Sequence, residues 1–330
     1  MLVISHGEVM SVLADRDTDI VDTVAEAYRS HFSGASALPY SVFLRFPGND
    51  RNRIIGLPGF LDGKSETAGI KWIASFPGNV ERGIPRASAL IVLNDTETGR
   101  PTAVIEGSAI SARRTGAGAA LAARLLPRAE TPDTSVALIG CGVINVEVLR
   151  FLRRTVPGLA VVTLFDTDRG RAEECGRRVG RAWPDLRVQV AADIRAAMAG
   201  ESLLSIATTA VEPHLDLRDV EPGALVLHVS LRDLTADAIL RADNVVDDVG
   251  HVCREQTSVH RAQQRVGHTN FIRDTIGGLL ERPDPVPRLA DRVTVFSPFG
   301  LGVLDLAVAR FVHARAVENG LGLAVDGFLP

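Results

Sequence analysis

The stretch Ser135-Val-Ala-Leu-Ile-Gly-Cys-Gly-Val-Ile-Asn145 decides the fold of this chain. Five residues typical of a buried strand lead directly into Gly140-Cys-Gly142, and a helical pattern follows from Val143 to about Thr155. In such a strand–turn–helix unit, the first glycine permits a tight turn. The second lets the backbone approach a phosphate at the helix N-terminus. The stretch predicts a dinucleotide site that uses Gly140, Gly142, Val143, Ile144 and Asn145, the last in the place of the usual third glycine.

A carboxylate at the end of the next strand strengthens this interpretation. The apolar run 160–165 ends at Asp166, 24 residues after Gly142. An acidic residue at about this spacing holds the adenosine ribose hydroxyls, and it would repel the 2′-phosphate of NADP. The alternative is that Asp166 caps the following helix together with Thr167 and Asp168. Turn, spacing and strand end agree, so we expect NAD as the cofactor.

The pattern of elements around this stretch predicts an α/β protein of two domains. From residue 129 to 304, short apolar strands alternate with helices, which predicts a doubly wound parallel sheet of the Rossmann type. Within it, residues 251–281 are predicted to be mostly helical. Residues 1–128 predict a substrate-binding and dimerisation domain with a mixed, largely antiparallel sheet, completed by a C-terminal helix in 305–330. Its predicted strands are 41–47, 54–58, 68–75, 87–93 and 102–105.

Composition excludes several functional classes. The chain has 330 residues, 46% apolar and 23% charged, and its net charge of −4 gives no electrostatic case for nucleic acid or an anionic membrane. The segment Met1–Glu8 lacks the basic and apolar regions of a signal peptide. The three cysteines are isolated, with no zinc-ligand spacing. We therefore expect a reducing cytoplasm and no metal.

Lysine is so rare here that its positions are informative. Among 36 basic residues only Lys64 and Lys71 are lysines. Lys64 lies in a predicted loop and is expected to be solvated. Lys71 stands in the apolar run Gly69-Ile-Lys-Trp-Ile73, where a buried ammonium must be paired or have a lowered pKa. This favours a functional role over a lysine that extends from a sheet edge into solvent.

Three arginines are candidates for binding a carboxylate. Arg113 and Arg114 lie in an alanine-rich helical pattern from Gly107 to Leu126, and arginine can bind a carboxylate through two parallel hydrogen bonds. Consecutive helix residues point about 100° apart, so at most one of the pair is expected to face a site. Arg45 lies near the end of a predicted strand, and the sequence does not decide whether it binds a ligand or is an ordinary arginine.

Polar residues also follow strands of the second domain. Ser230 and Asp233 come after a buried strand, at the edge where ligands gather in parallel sheets. The alternative is that they form a turn or a helix cap. His228, inside that strand, is predicted to be a satisfied core histidine, and His214 is only a weak candidate for the cofactor's edge. Thr208 and Ser230 are assigned to the cofactor site, as is Gly300 in a loop that either covers the nicotinamide or simply turns.

The ordered set of motifs resembles the ornithine cyclodeaminase/mu-crystallin family over nearly the whole chain. The set comprises Gly69-Ile-Lys71-Trp, Leu93 to Pro101, Ser111-Ala-Arg-Arg114-Thr-Gly-Ala, Gly140-Cys-Gly142 and the segment that ends at Asp233. The resemblance implies a nicotinamide-dependent enzyme of amino acids and a homodimer formed through the first domain's sheet. It also implies that Arg45, Lys71 and Arg114 hold the substrate α-carboxylate, and that Asp233 is the catalytic aspartate near the amine.

Further runs are similar to one branch, the N-(2-amino-2-carboxyethyl)-L-glutamate dehydrogenases, which make 2,3-diaminopropionate for siderophores and peptide antibiotics. The runs are 71–79, 83–88, 106–111 and 296–305. This resemblance implies a pyridoxal-phosphate (PLP)-dependent, phosphoserine-using synthase as the pathway partner. It suggests Arg86, Ser88, Asn79 and Arg232 as further substrate contacts. Two alternatives stay open: a cyclodeaminase or amino-acid dehydrogenase, and a non-catalytic binding protein of mu-crystallin type.

Overall fold

The computed structural model describes residues 1–63 and 66–329, apart from the side chain of Asp50. Lys64 therefore lies outside the described residues. Contacts divide the chain into two compact units. Unit 1 comprises Met1–Arg114 and Gly300–Pro330, and unit 2 comprises Thr115–Phe299.

The described residues form sixteen strands and eleven α-helices. The strands are β1 Leu2–Ile4, β2 Ser36–Ala37, β3 Val42–Phe46, β4 Asn49–Leu61, β5 Thr67–Ser75, β6 Ala87–Asn94, β7 Pro101–Glu106, β8 Ser135–Ile139, β9 Val161–Phe165, β10 Arg187–Val190, β11 Leu203–Ile206, β12 Leu225–His228, β13 Asp243–Val246, β14 Ile272–Thr275, β15 Thr294–Ser297 and β16 Leu323–Ala324. The α-helices are α1 His6–Leu13, α2 Asp17–Phe32, α3 Ser108–Leu125, α4 Val143–Thr155, α5 Arg169–Ala182, α6 Ile194–Met198, α7 Ala236–Arg241, α8 Val249–Val252, α9 Ser258–Val266, α10 Ile276–Leu280 and α11 Gly302–Glu318.

Unit 1 is a mixed, largely antiparallel sheet with helices on one face. The strand order is β16-β1-β7-β6-β5-β4-β2, with β3 also paired to β4, and only the β1–β7 pair is parallel among these pairings. Helix α11 packs on β4, β5 and β6. The close approach depends on glycine, because a Cβ on Gly69 would lie 2.2 Å from the carbonyl oxygen of Val92 and 3.2 Å from Leu306. This explains the glycine of the Gly69-Ile-Lys71 motif.

Unit 2 contains the predicted doubly wound sheet. Its eight strands run in the order β10-β9-β8-β11-β12-β15-β13-β14, and every pairing is parallel. The prediction that residues 251–281 are mostly helical was wrong over β14. That strand has four half-buried residues, Ile-Arg-Asp-Thr, and lies at the sheet edge. It is too short and too polar to show a strand pattern in the sequence.

The unit boundary lies within α3, at residue 114 and not at residue 128 as the sequence suggested. The second half of the helix packs on α4, because a Cβ on Gly116 would lie 2.7 Å from the backbone of Glu147. Beyond the helix, Val286 N–H donates to the carbonyl of Leu125 at 2.9 Å. The second boundary falls at residue 299, five residues before the predicted one. No helix of the described residues is long and apolar enough to cross a membrane.

Candidate active site

Lys71 is a buried cation in the centre of the unit 1 sheet. It lies in β5, directly between Leu57 of β4 and Ile91 of β6, and is 2% exposed. Its Nζ donates to Asp305 Oδ2 at 2.6 Å and to Ser111 Oγ at 3.3 Å. The ammonium is therefore paired inside the unit and does not extend into solvent.

Asp305 joins Lys71 to the second predicted cation. It lies in the first turn of α11, is fully buried, and its Oδ1 accepts a hydrogen bond from Arg114 Nε at 3.1 Å. Among the described residues, no hydrogen bond engages the two terminal nitrogens of Arg114. Gly300, at φ +91°, lies against this guanidinium: a Cβ there would be 3.0 Å from Arg114 Nη1. Gly300 thus packs against the Arg114 side chain, whereas the sequence predicted it to contact the cofactor.

Burial and charge set the protonation of this cluster. Burial lowers the pKa of Lys71 to about 8, although the attraction of Asp305 opposes the shift. Burial alone would raise the pKa of Asp305, but Arg114 and Lys71 hold it below its usual value. With Asp305 ionised and both cations protonated, the cluster carries one net positive charge. It is suited to one carboxylate, which the terminal nitrogens of Arg114 can bind in bidentate fashion.

A second group of cations lies on the same face of the sheet. Arg45 of β3 pairs with Arg53 of β4, and Arg53 pairs with Ser75 of β5. These residues share the face of Lys71, because residues two apart on a strand point to the same side. Arg86 Nη1 donates to Ser75 Oγ at 2.8 Å and joins the group. Three guanidinium groups with like charge therefore surround one end of this face.

Ser88 does not belong to this group, so its assignment to the substrate site is corrected. It pairs with Ala74, whereas Lys71 pairs with Ile91, so Ser88 lies on the opposite face of the sheet. Its neighbours on that face are the exposed side chains of Trp72 and Leu90. Asn79 acts on the loop before Arg86: its Nδ2 donates to the carbonyl of Pro85 at 3.3 Å.

The glycine turn of unit 2 has the form of an anion-binding helix N-terminus. Gly140 has φ +95°, and a Cβ there would lie 2.4 Å from the carbonyl oxygen of Ala207. At Gly142, the N-cap of α4, a Cβ would meet no atom within 4 Å, so the backbone is open to a ligand. Cys141 N–H donates to Asp166 Oδ2 at 2.9 Å, which ties the turn to the predicted ribose-binding carboxylate. These features fit the pyrophosphate and ribose of a dinucleotide.

Asn145 has a structural role, which corrects its assignment as a cofactor contact. It is 1% exposed, and its amide donates to the carbonyls of Ile139 and Gly140 at 2.9 and 2.7 Å. Its Oδ1 accepts from Ser205 Oγ at 2.7 Å. The side chain thus links the first turn of α4 to strands β8 and β11 by hydrogen bonds. Its neighbours Val143 and Ile144 remain at the open end of α4.

Asp233 lies beyond the carboxyl end of β12, and each of its two carboxylate oxygens has a hydrogen-bond partner. Thr208 Oγ1 donates to Oδ1 and Ser230 Oγ to Oδ2, while His228 Nε2 lies 3.4 Å from Oδ2. Burial alone would raise the pKa of Asp233, but these three partners, His228 foremost, hold it below its usual value. Leu231, at φ +69°, is in the left-handed region that non-glycine residues rarely adopt. It turns the chain so that the aspartate points back to the strand end.

Arg232 and His214, the weaker candidates for contacts to the substrate and the cofactor, lie near Asp233 but do not bond to its carboxylate. Arg232 Nη2 donates to the carbonyl of Glu255 at 2.8 Å, so this arginine holds a neighbouring loop. His214 is exposed, and its backbone N–H donates to the carbonyl of Asp233 at 2.8 Å. Within the described residues, no cluster of three or more His, Cys, Asp or Glu side chains could hold a metal.

Sequence reasoning missed three residues of the site. Asp305 had a signal, because it is a lone carboxylate in an apolar helix start, Gly302-Val-Leu-Asp-Leu-Ala307. Arg53 was missed because the predicted strand began at residue 54, one residue after it. Ser111 had no signal apart from its place in the Arg114 motif.

The sequence matches a known protein family over nearly its whole length. Residues 2–320 match the model of the ornithine cyclodeaminase/mu-crystallin family. The chain belongs to this family. It is 27% identical to the N-((2S)-2-amino-2-carboxyethyl)-L-glutamate dehydrogenase of Staphylococcus aureus, over 99% of this chain and 98% of the relative.

Solved structures of similar proteins share the fold over the whole chain. The crystal structure of CmnK has a TM-score of 0.90 at 29% identity, covering 100% of this chain and 99% of CmnK. An archaeal alanine dehydrogenase, solved as a dimer with bound NAD, has a TM-score of 0.87 at 25% identity, with 99% of each chain covered. These relatives confirm the predicted family and the Rossmann-type fold.

Proposed function

We propose that this NAD-dependent oxidoreductase, which acts on a CH–NH bond, cleaves N-(2-amino-2-carboxyethyl)-L-glutamate into 2,3-diaminopropionate and 2-oxoglutarate. The match to the Staphylococcus aureus enzyme over nearly both full lengths supports this substrate. The proposal extends to a place in siderophore or peptide-antibiotic biosynthesis, after a PLP-dependent synthase that uses phosphoserine. We also propose a cytoplasmic location, because the three free cysteines suit a reducing compartment.

The observation that carries the substrate proposal is the pair of cationic groups on one face of the unit 1 sheet. The Lys71–Asp305–Arg114 cluster suits one carboxylate, and Arg45, Arg53 and Arg86 offer positive charge for more. The proposed substrate has three carboxylates. Ornithine has one carboxylate and a distal ammonium, which three nearby guanidinium groups would repel. A site built to bind several carboxylates discriminates strongly against a substrate that would leave its donors unsatisfied.

In the proposed reaction, the residues of each unit have separate tasks. NAD⁺, when bound, supplies the acceptor for the hydride of the glutamate Cα. The amine must be neutral for its lone pair to form the C=N bond, and Asp233 is the acceptor for its proton. Water then adds to the imine, and the C–N bond breaks to release the two products. Lys71, with a pKa of about 8, can exchange a proton with that water near neutral pH.

The cationic groups orient the substrate. Arg114 and Arg45 neutralise carboxylates and fix the Cα, and correct orientation can account for several kcal/mol of a reaction barrier, roughly 7–11 in the best cases. Asp233, with its lowered pKa, stays ionised at neutral pH. A fixed carboxylate also stabilises the positive charge that develops on nitrogen as the hydride leaves.

We further propose a homodimer formed through the outer face of the unit 1 sheet. This face, opposite Lys71, exposes the apolar side chains of Val42, Leu44, Trp72 and Leu90, which are between 45% and 66% exposed. A contiguous apolar surface of this kind usually marks an interaction site. The archaeal alanine dehydrogenase of the same fold is a dimer.

The substrate assay is mass-spectrometric. Purified protein and NAD⁺ are incubated separately with the glutamate adduct, ornithine and alanine. The proposal expects NADH, 2,3-diaminopropionate and 2-oxoglutarate from the adduct alone. Proline and ammonia from ornithine, or pyruvate from alanine, without diaminopropionate would assign the chain to another branch. NAD binding without turnover of any of the three would favour a binding protein of mu-crystallin type.

A further inference from the structure

His228 is a fully buried histidine whose two ring nitrogens both face polar groups of unit 2. It is the last residue of β12 and lies directly beside Ile206 of β11. Its Nδ1 is 3.3 Å from Ser297 Oγ at the end of β15. Its Nε2 is 3.4 Å from Asp233 Oδ2 and 3.3 Å from the backbone nitrogen of Asp233. The imidazole therefore contacts both the carboxylate and the backbone of the same aspartate.

These two contacts of Nε2 require opposite protonation states. The backbone N–H of Asp233 can donate only to a bare Nε2, whereas the carboxylate accepts only from a protonated Nε2. Ser297 can satisfy Nδ1 in either state, because a hydroxyl both donates and accepts. The surroundings thus accommodate the imidazole with and without a proton on Nε2. Among the described residues, Asp233 is the ionisable group that contacts this ring.

The carboxylate itself is poorly suited to keep a proton. Thr208 donates to Oδ1 and Ser230 donates to Oδ2, and both bonds stabilise the ionised form. The Ser230 hydroxyl has a second acceptor, the carbonyl of Ile206 at 3.1 Å. Its hydrogen can therefore turn away when Oδ2 receives a proton. Nε2 of the imidazole lies 3.4 Å from Oδ2 and can accept that proton when it carries none.

We propose that His228 is a positioning residue that receives, through Asp233, the proton of the substrate amine. The inference rests on the proposed function, in which Asp233 accepts that proton. The substrate N–H bond breaks as an O–H bond forms at Asp233. The proton then passes from Oδ2 to Nε2 of His228, the imidazole becomes imidazolium, and Asp233 is ionised again. No electrons are exchanged in these steps, and the proton returns by the same route when the product amine forms.

His228→Gln tests the proposal through a pH profile. Glutamine keeps a hydrogen-bonding side chain but cannot take the proton. At pH 7, kcat should fall by about 10²-fold, the usual effect of losing an acid–base group. By pH 10 it should approach the wild-type value, because the substrate amine then arrives neutral. NAD affinity should stay within about twofold. The matched control is His251→Gln, another buried histidine of unit 2 beside an aspartate, with no expected change in the profile.

An equal loss of kcat at every pH from 7 to 10 would mean a structural role for His228 and would overturn the proposal. An unchanged kcat at pH 7 would overturn it as well.

A second measurement needs neither substrate nor a folded histidine variant. In protein labelled with ¹⁵N-histidine, NMR reports the proton population on Nε2 of His228. Asp233→Asn should lower this population. Identical spectra for the wild type and Asp233→Asn would refute the pairing. If the pairing holds but the wild type does not consume the glutamate adduct, only the proposed substrate fails.

Discussion

Asp305 Oδ2 lies 2.6 Å from Lys71 Nζ, and the two residues are 234 positions apart in the chain. Both side chains are almost wholly buried. The other oxygen of the same carboxylate binds Arg114, so one anion orders the two cations that are expected to hold the substrate carboxylate. This explains how a lysine is tolerated in an otherwise apolar strand, since an unpaired buried ammonium would be very costly.

We expect Asp305→Asn to destabilise the protein by roughly 3–5 kcal/mol, because it leaves two buried cations without their anion. Turnover should be lost as well, since Lys71 and Arg114 lose their common anchor. Urea denaturation and kcat/KM measure the two effects. Glu318→Gln on the same helix, which breaks an exposed pair with Arg315, is the control and should change neither. Wild-type stability for Asp305→Asn would show that the cluster is not coupled as described.

The pKa of Lys71 predicts a pH limit on substrate capture. Lys71 holds a carboxylate only when protonated, and its pKa is lowered to about 8. Since kcat/KM reports the free enzyme, its value for the proposed substrate should fall as the pH rises above about 8. The unfolded lysine titrates near 10.5, so the free energy of unfolding should rise between these two pH values. The residual activity of Lys71→Met should not show this fall of kcat/KM above about pH 8. A fall that persists in this variant would belong to another ionisable group.

Arg53 is expected to contribute to substrate binding. It pairs directly with Arg45 across the sheet, on the face of Lys71. Arg53→Gln should raise KM for the glutamate adduct by roughly 10–100-fold with little change in kcat, as expected when binding is lost equally in the ground and transition states. Steady-state kinetics measure both constants. Arg100→Gln, in the exposed β6–β7 turn, is the control. An unchanged KM for Arg53→Gln would remove this arginine from the substrate site.

Asp166 should determine the preference for NAD. Its carboxylate accepts the Cys141 and Asp168 backbone N–H groups at 2.9 and 3.0 Å, so it is held beside the glycine turn. We expect NAD to be used at least about 10-fold better than NADP, and Asp166→Ser to reduce the ratio of the two kcat/KM values. In that variant Arg171, whose Nη1 lies 3.9 Å from Asp166 Oδ1, can pair with a 2′-phosphate. Asp168→Ser removes a neighbouring negative charge but keeps an oxygen that can cap α5, and it serves as the control. Equal use of both cofactors by the wild type would contradict the assignment.

The outer face of the unit 1 sheet should be the dimer interface. Trp72→Asp combined with Leu90→Asp places two charges on this apolar surface and should convert the dimer to a monomer, as measured by light scattering after size-exclusion chromatography. Val211→Asp places the same charge at a 58% exposed position in unit 2 and should leave the dimer intact. A dimer that survives the double substitution would place the interface elsewhere.

Several parts of this structure could be predicted from the sequence because their causes are local. The strand–glycine–helix unit from Ser135 to Thr155 has its turn chemistry and its periodicity in neighbouring residues. The alternation that follows led directly to the parallel sheet of unit 2. The boundary inside α3 could not be predicted, because it depends on which neighbours the two halves of one continuous helix contact.

The sequence alone determined the family and the two kinds of sheet, and it identified Lys71, Arg114 and Asp233 as the residues that are proposed to carry chemistry. Only the tertiary structure decided how they are paired. It brought Asp305 to Lys71 and His228 to Asp233, and it placed Arg53 with Arg45. It also removed Ser88 from the site, because a shift of one residue along a strand moves a side chain to the other face. Hydrophobic periodicity can be read from neighbouring residues. Side-chain partners and strand register, in contrast, are set only when distant segments of the chain pack together.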